Sequence, residues 1–438
     1  MNNLYKYIGR PGIAVAIVCS LIGCTRDIDT ETLAPYPGLS DVFIDGFASD
    51  LEYQAWGKST NFDVDKDTKY EGTSAIKIEV PGPNDPLGNW AGGNFYSKMG
   101  RNLTQYDALT FYAKASIPAS MTAGFGTFGE NTDYQVSDTV KLNTAWEKFI
   151  VPIPNAARLL AEQGLFYYSA GMVNNQGYTI WIDNVKYEHL GTLAHPTLQG
   201  DKMIGFPGSI RLGNLTETIN LPNGINAKLN VSPKYFTFES SDPKIAEAQG
   251  DSIQVHRAGE VTLTAKEAEG QITLHCYDYA PVPTRLAADV MSLYSDAYLP
   301  AITANWNPHW QYSNLTYSEI NTGKEHVGQY TSPKAEDFEG IVFSQDADCS
   351  GMDFMHVDVL SADAVNAGAE FKIEIHNRSG QVKAYTITAE TAPALRQGAW
   401  SSLEIPLDEL GGDRKIFQLA ISFKGISHIL LDNIYFYK

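Results

Sequence analysis

A chain of 438 residues is too long for one hydrophobic core and predicts two to four domains. Its apolar content (43%) and aromatic content (11%) exclude a disordered protein, and a net charge of −19 excludes a nucleic-acid partner, which would need basic surface. The 24 Tyr and 19 Phe, with no long amphipathic heptads, predict β structure. Such an acidic surface suits a neutral partner.

At the N-terminus, Lys6 and Arg10 precede an apolar run from Ile13 to Ile22 that is too short to span a bilayer permanently. Leu21-Ile22-Gly23-Cys24 follows and resembles a bacterial lipobox. The resemblance implies a signal peptide over 1–23, acylation of Cys24 and anchoring by burial of its acyl chains. Residues 24–40 read as a tether. Its start, Thr25-Arg26-Asp27-Ile28-Asp29-Thr30-Glu31, resembles the acidic signal that sends Bacteroidetes lipoproteins to the cell surface.

A first module is expected over 41–190. Ala75-Ile76-Lys77-Ile78-Glu79-Val80 alternates as a half-buried strand, and 108–115 and 148–153 are also strand-like. Residues 154–164 read as a short helix. The module closes on Ile180-Trp181-Ile182-Asp183-Asn184-Val185-Lys186-Tyr187. The chain ends on a similar run, Ile429-Leu430-Leu431-Asp432-Asn433-Ile434-Tyr435-Phe436, which closes a module over 285–438. The two modules can be laid over each other: 106–115 parallels 352–361, and 145–153 parallels 399–407. Matching strands separated by unequal loops are the mark of two diverged copies. Between them, 196–279 carries short, evenly spaced strands. After Cys19 and Cys24, only Cys276 and Cys349 remain, in different predicted domains, so two lone buried thiols are expected.

Three stretches carry resemblances. Ser240-Ser241-Asp242-Pro243-Lys244-Ile245-Ala246, with Ala258-Gly259-Glu260-Val261-Thr262-Leu263-Thr264-Ala265, resembles the group-two bacterial immunoglobulin-like domain over about 80 residues. The flanking modules resemble galactose-binding-like jelly rolls. Leu293-Tyr294-Ser295-Asp296-Ala297-Tyr298, Asn305-Trp306-Asn307-Pro308-His309-Trp310 and the closing strand resemble the accessory module of some family-sixteen glycoside hydrolases. The whole layout resembles surface glycan-binding lipoproteins of polysaccharide-utilisation systems. It implies an all-β protein on the outer membrane, facing outward, that holds a polysaccharide such as a β-glucan for a surface glycosidase or an outer-membrane transporter. A surface adhesin that binds protein is the alternative. A glycoside hydrolase is less favoured, since Glu-x-Asp-x-x-Glu is absent and Glu370 and Glu374 lack the intervening Asp.

The repeat sorts the seven tryptophans. Trp146 and Trp400 occupy equivalent places and read as structural, and Trp181 reads as core. Trp306 and Trp310 have no counterpart in the other copy. They are the candidate sugar platform, with Asn305, Asn307, His309 and Tyr312 beside them, because a sugar's C–H face packs on an aromatic plane while its hydroxyls need polar partners. If the segment were extended, the indoles would share a face ~13 Å apart. Trp90 and Trp56 are the candidates in the first module. An unpaired carboxylate among apolar residues is costly. Jelly rolls of this type often hold structural calcium, which implies a site from Asp45, Glu71 and Asp183 in the first module, and from Asp296 and Asp432 in the second.

Overall fold

The computed structural model describes residues 35–56, 62–191, 193–199, 203–213, 215–250, 252–323, 325–411 and 413–438. The expected signal peptide, Cys24 and the start of the tether lie outside them. Among the described residues, helix is confined to single 3-10 turns and every other regular element is a strand. The expected all-β architecture of packed sandwiches is present.

Two sheets have the same plan. In the first sandwich the order is Phe62–Asp65, Ala75–Val80, Tyr178–Glu188, Ala108–Ala115, Glu147–Pro152, with Asp41–Phe43 also on Tyr178–Glu188. In the C-terminal sandwich it is Thr316–Asn321, His326–Thr331, His428–Tyr437, Phe354–Ser361, Ser401–Pro406, with Val290–Tyr294 also on His428–Tyr437. In both, the Asp-Asn strand is the central one and takes three partners.

The Asp-Asn pair has a backbone reason. Asn184 (φ 48°) and Asn433 (φ 51°) adopt the left-handed conformation, which asparagine tolerates better than a branched residue. Each donates its N–H to the preceding Asp Oδ1, at 2.7 and 2.6 Å. The pairing register shifts between Asp183 and Lys186, and between His356 and Asp358 opposite Asp432. A β-bulge therefore bends each closing strand at the same place.

The facing sheets also correspond. The C-terminal one runs Ala304–Asn305, Glu336–Asp348, Lys415–Lys424, Glu370–Asn377, Val382–Thr388 and stops at that edge. The first runs Glu52–Trp56, Trp90–Arg101, Glu162–Gly171, Ala119–Phe125, Val136–Leu142. It then continues into Asn226–Val231, Leu215–Asn220 and Ala194–Gln199. Thus three strands from the middle of the chain extend the first sandwich's sheet to eight. The rest of the middle region forms a four-stranded and a three-stranded sheet. One buried apolar cluster spans the first sandwich and this region, and the C-terminal sandwich has its own.

A third, smaller cluster joins the middle region to the C-terminal sandwich through Phe206, Tyr277, Val327, Leu360 and Leu430, with Trp400 against it. Trp400 Nε1 donates to the Asp278 carbonyl at 2.8 Å, and Tyr279 OH to Thr322 Oγ1 at 2.7 Å. Cys276 and Cys349 are free and buried.

Two expectations change. Residues 154–164 contain one 3-10 turn, Ala156–Arg158, capped by the Asn155 side chain, and the strand Glu162–Gly171 begins at once. The aromatic run Phe166-Tyr167-Tyr168 favours the sheet there. Trp181 is half-buried rather than core, because alternation sends Ile180 and Ile182 inward and Trp181 outward. Its Nε1 donates to Asp65 Oδ2 at 2.8 Å, and Lys114 lies 5.3 Å over its ring.

In the strand that extends the first sheet, Glu217 is fully buried, and neither carboxylate oxygen has a hydrogen-bond partner. Burial pushes its pKa up to about 8. An unfolded glutamate titrates near ~4.3. The stability tied to the neutral form is therefore complete below about pH 4 and is lost as pH rises through 8. Glu217→Leu is expected to raise stability at pH 8.5 by a few kcal/mol on the order set by burying a charge, and by less at pH 5. Denaturant titrations at the two pH values measure this; an equal gain at both would show that the carboxyl does not titrate in that range.

Candidate sugar-binding faces

Alternation in the five-stranded C-terminal sheet sends Phe371, Ile373 and Ile375 inward and Lys372, Glu374 and His376 outward. Paired neighbours share a face. Gly340, Ala420, Glu374 and Ala384 therefore form one line across four strands, flanked by Phe338, Ser422, Lys372 and Thr386. The small residues Gly340, Ala420 and Ala384 leave room above the sheet. Over this floor lies the indole of Trp310: a Cβ on Gly340 would overlap its ring atoms. Phe338, 40% exposed, has its ring 6.4 Å from Trp310. Glu374 is ion-paired to Lys372 (2.8 Å) and His376 (3.2 Å). Burial alone would raise its pKa, but these two neighbours hold it below its usual range.

The loop that carries Trp310 is tied from beneath by two buried carboxylates. Glu339 Oε1 accepts the Trp310 N–H at 3.3 Å, and Asp337 accepts the Asn314 N–H at 3.1 and 3.2 Å. His309 (φ 58°) and Tyr312 (φ 75°) are left-handed, so the segment turns instead of extending. This separates the two indoles that an extended segment would have aligned. Trp306 packs against the core at the sandwich end, 5.3 Å from the Tyr294 ring and stacked 6.0 Å from Tyr317. Its carbonyl accepts the Tyr330 hydroxyl at 2.6 Å. His309 and Tyr312 are exposed, the latter 80%. Asn305 is exposed and its Oδ1 accepts the Asn307 N–H at 3.1 Å, whereas the buried Asn307 Oδ1 has no partner.

The first sandwich repeats the device with different residues. On the outer face of its large sheet, the Trp90 ring covers Gly92, whose added Cβ would strike it. Trp56 pairs with Gly92 from the next strand, and its ring lies 5.4 Å from Tyr167. Asn94 is buried on this face, its Nδ2 donating to the Thr127 carbonyl at 2.6 Å and its Oδ1 unpartnered. Trp90 and Trp56 therefore share the outer face at Gly92.

Lys372, Glu374, His376, Tyr167 and the glycines beneath the indoles were not among the sequence candidates. The period-two pattern of 370–377 places the first three on one face. The glycine–indole contacts join distant strands in one case and follow a short Trp-x-Gly in the other, and only the latter has a local signal.

The carboxylates expected to hold calcium are engaged by N–H groups. Asp183 Oδ2 accepts from Tyr70 N (2.8 Å) and Glu71 N (3.3 Å), and Asp45 accepts from Thr73 N and from Ser74 N (3.2 Å). Glu71 Oε2 accepts from Asn184 Nδ2 at 3.3 Å. Asp296 accepts from His326 N (2.6 Å) and stands 2.8 Å from His326 Nδ1. Asp432 is buried and pushed up to about 7, first by burial and then by repulsion from Asp358, Asp296 and Glu325. Among the described residues, no group of three His, Cys, Asp or Glu side chains stands ready to hold a metal ion.

Among solved structures, the chain is similar to a family 11 carbohydrate-binding module from Clostridium thermocellum in complex with a β-1,3-1,4-mixed-linked tetrasaccharide. The identity is 10%, over 36% of this chain and 97% of that one, with a TM-score of 0.26. It is also similar to a tandem pair of family 22 carbohydrate-binding modules from Paenibacillus barcinonensis, at 11% identity over 93% and 99% of the two chains and a TM-score of 0.22. A third similarity is to an adhesin domain of Lys-gingipain from Porphyromonas gingivalis, at 12% identity over 34% and 97% and a TM-score of 0.24. No family model matches the sequence, and no curated protein does.

Asn433 locks the second closing strand. Its Nδ2 donates to Asp358 Oδ2 (2.9 Å) and to the Pro281 carbonyl (3.2 Å), and its Oδ1 accepts from Ser295 (2.8 Å). Asn433→Ala removes these bonds and keeps the left-handed backbone, so a loss of about 2–4 kcal/mol is expected. Asn433→Gly removes the same bonds without backbone strain and is expected to lose about 1 kcal/mol less. Equal losses in urea titrations would show that the backbone contributes nothing.

Proposed function

We propose that this protein is a non-catalytic polysaccharide-binding protein, lipid-anchored through Cys24 and displayed on the outer membrane. One observation carries the proposal. In each sandwich an indole lies over a glycine on the outer face of the sheet opposite the Asp-Asn strand, with polar side chains beside it. A sugar ring can stack on such a surface, and its hydroxyls find partners in Lys372, Glu374, His376 and Gln418 on the second face. Glu374, whose pKa Lys372 and the His376 ring hold below its usual range, is poorly suited to act as a general acid. A neutral chain such as a β-glucan suits the acidic surface and is the first ligand to try. The captured chain would be handed to a surface glycosidase or an outer-membrane transporter. Two faces on one chain would raise avidity for a long polymer. In the alternative, a surface adhesin, the same faces would hold protein instead of sugar.

Affinity electrophoresis against a panel of neutral polysaccharides tests the proposal. Trp310→Ala is expected to weaken retardation by tenfold or more and to change stability by less than about 1 kcal/mol, as its ring lies on the surface. Trp306→Ala is expected to lose about 2 kcal/mol of stability, through lost packing, and to keep retardation. Absence of retardation on every polymer would sink the proposal and favour the adhesin.

The expected calcium is also a proposal. In the C-terminal sandwich, Asp432 and Asp296 repel each other, and a hard divalent cation held by these two carboxylates would relieve that repulsion. Calcium is expected to raise Tm at pH 8 in the wild type and not in Asp432→Asn. The same Tm with calcium and with chelator would remove the ion from the account.

A further inference from the structure

The middle region, which resembles an immunoglobulin-like domain, shares a sheet with the first sandwich, and this has a functional side. We propose that its strands Asn226–Val231 and Leu215–Asn220 extend the first sugar-binding face, so that one extended neutral polysaccharide lies across both. The inference rests on the sugar-binding reading of the Trp90 face.

The pairing registers trace the path. From the indoles, one line of outward partners runs Trp56, Gly92, Ser169, Thr122, Thr139. The adjacent line runs Tyr167, Gly124, Ser137 and crosses the junction to Asn230, Thr216 and Gln199. Adjacent strands lie ~4.8 Å apart, so Trp90 and Asn230, four strands from each other, are ~19 Å apart across the sheet.

These two lines offer hydroxyls and amides and no carboxylate, in a chain of net charge −19. Lys228 adds a cation beside Asn230. The wall is concave where the two regions meet: a groove of about 500 Å³ is lined by Thr122, Ser137, Thr139, Thr216, Lys228 and Asn230, with Asp138 at its side. A second groove of about 520 Å³, lined in part by Ser120, Lys141 and Gly171, adjoins Trp90 through the Gly171–Trp90 pair. An apolar partner would leave these hydroxyls and amides unpaired, and an acidic surface elsewhere does not favour a polyanion. A neutral, hydroxyl-rich chain satisfies them. The C-terminal copy gives the internal contrast, because its sheet ends at Val382–Thr388 and has no such extension.

The test uses the full chain in a Trp310→Ala background, so that only the first face is read. The probes are β-1,3-glucan, mixed β-1,3-1,4-glucan, xylan and galactomannan, with the trisaccharide of whichever polymer binds. Thr216→Ala, Lys228→Ala and Asn230→Ala are combined; all three side chains point away from the core. The expected result is a fivefold or greater loss of polymer affinity in the triple variant, with trisaccharide affinity unchanged, because a trisaccharide on Trp90 is too short to reach Asn230. Trp90→Ala is expected to remove both. Polymer binding that Trp90→Ala abolishes and the triple variant leaves intact would overturn the extension and keep the Trp90 platform. Binding unaffected by either set would overturn the extension and place the ligand elsewhere. Failure of the background protein to bind any polymer would overturn both the extension and the first platform.

Discussion

Each sandwich depends on one strand accepting a bend. The closing strand must pair with three others and still follow the curve of a closed sandwich. A left-handed asparagine, with its N–H held by the preceding aspartate, supplies that bend without breaking the strand. Because the apolar residues on both sides of the pair point inward, the closing strand fixes its own sheet and the core. The opposite sheet then packs on that core with one face, and its other face is left open. The proposed binding surfaces are thus a by-product of where the Asp-Asn bend puts the hydrophobic side.

The two copies solved the same surface problem by different local means. In the first, Trp90 and Gly92 sit two apart on one strand, so strand alternation alone lays the ring over the glycine. In the second, Trp310 comes from a loop and reaches a glycine on a different strand, and two buried carboxylates hold the loop by its backbone. The second arrangement needs Glu339 and Asp337 in an otherwise apolar interior. Their burial is tolerated because loop N–H groups fill part of their hydrogen-bonding capacity.

Much of this was legible in residue order. The Asp-Asn runs and the alternating strands describe local backbone and burial, which short periodicity reports well. Other features depend on contacts between distant residues. Trp306 and Trp310 look equivalent in sequence, and only the left-handed backbone at His309 and Tyr312 sends one to the core and one to the surface. The polar line of Lys372, Glu374 and His376 was visible as alternation, but its use depends on which strand brings glycine and indole beside it. The pairing of Val136–Leu142 with Asn226–Val231 joins segments some ninety residues apart, and no local signal marks it.

The peg formed by Trp400, with Tyr277 and Phe206 around it, bears on how a long ligand would experience the molecule. With the first face merged into the middle region and the middle region pinned to the C-terminal sandwich, the protein acts as a ruler more than as a pair of beads on string. The conformational entropy of setting one face against the other is spent once, during folding. A polymer that touches both faces must adapt its own curvature to that fixed spacing. Selection among polysaccharides could then fall on chain stiffness and helical pitch as much as on the identity of any single sugar.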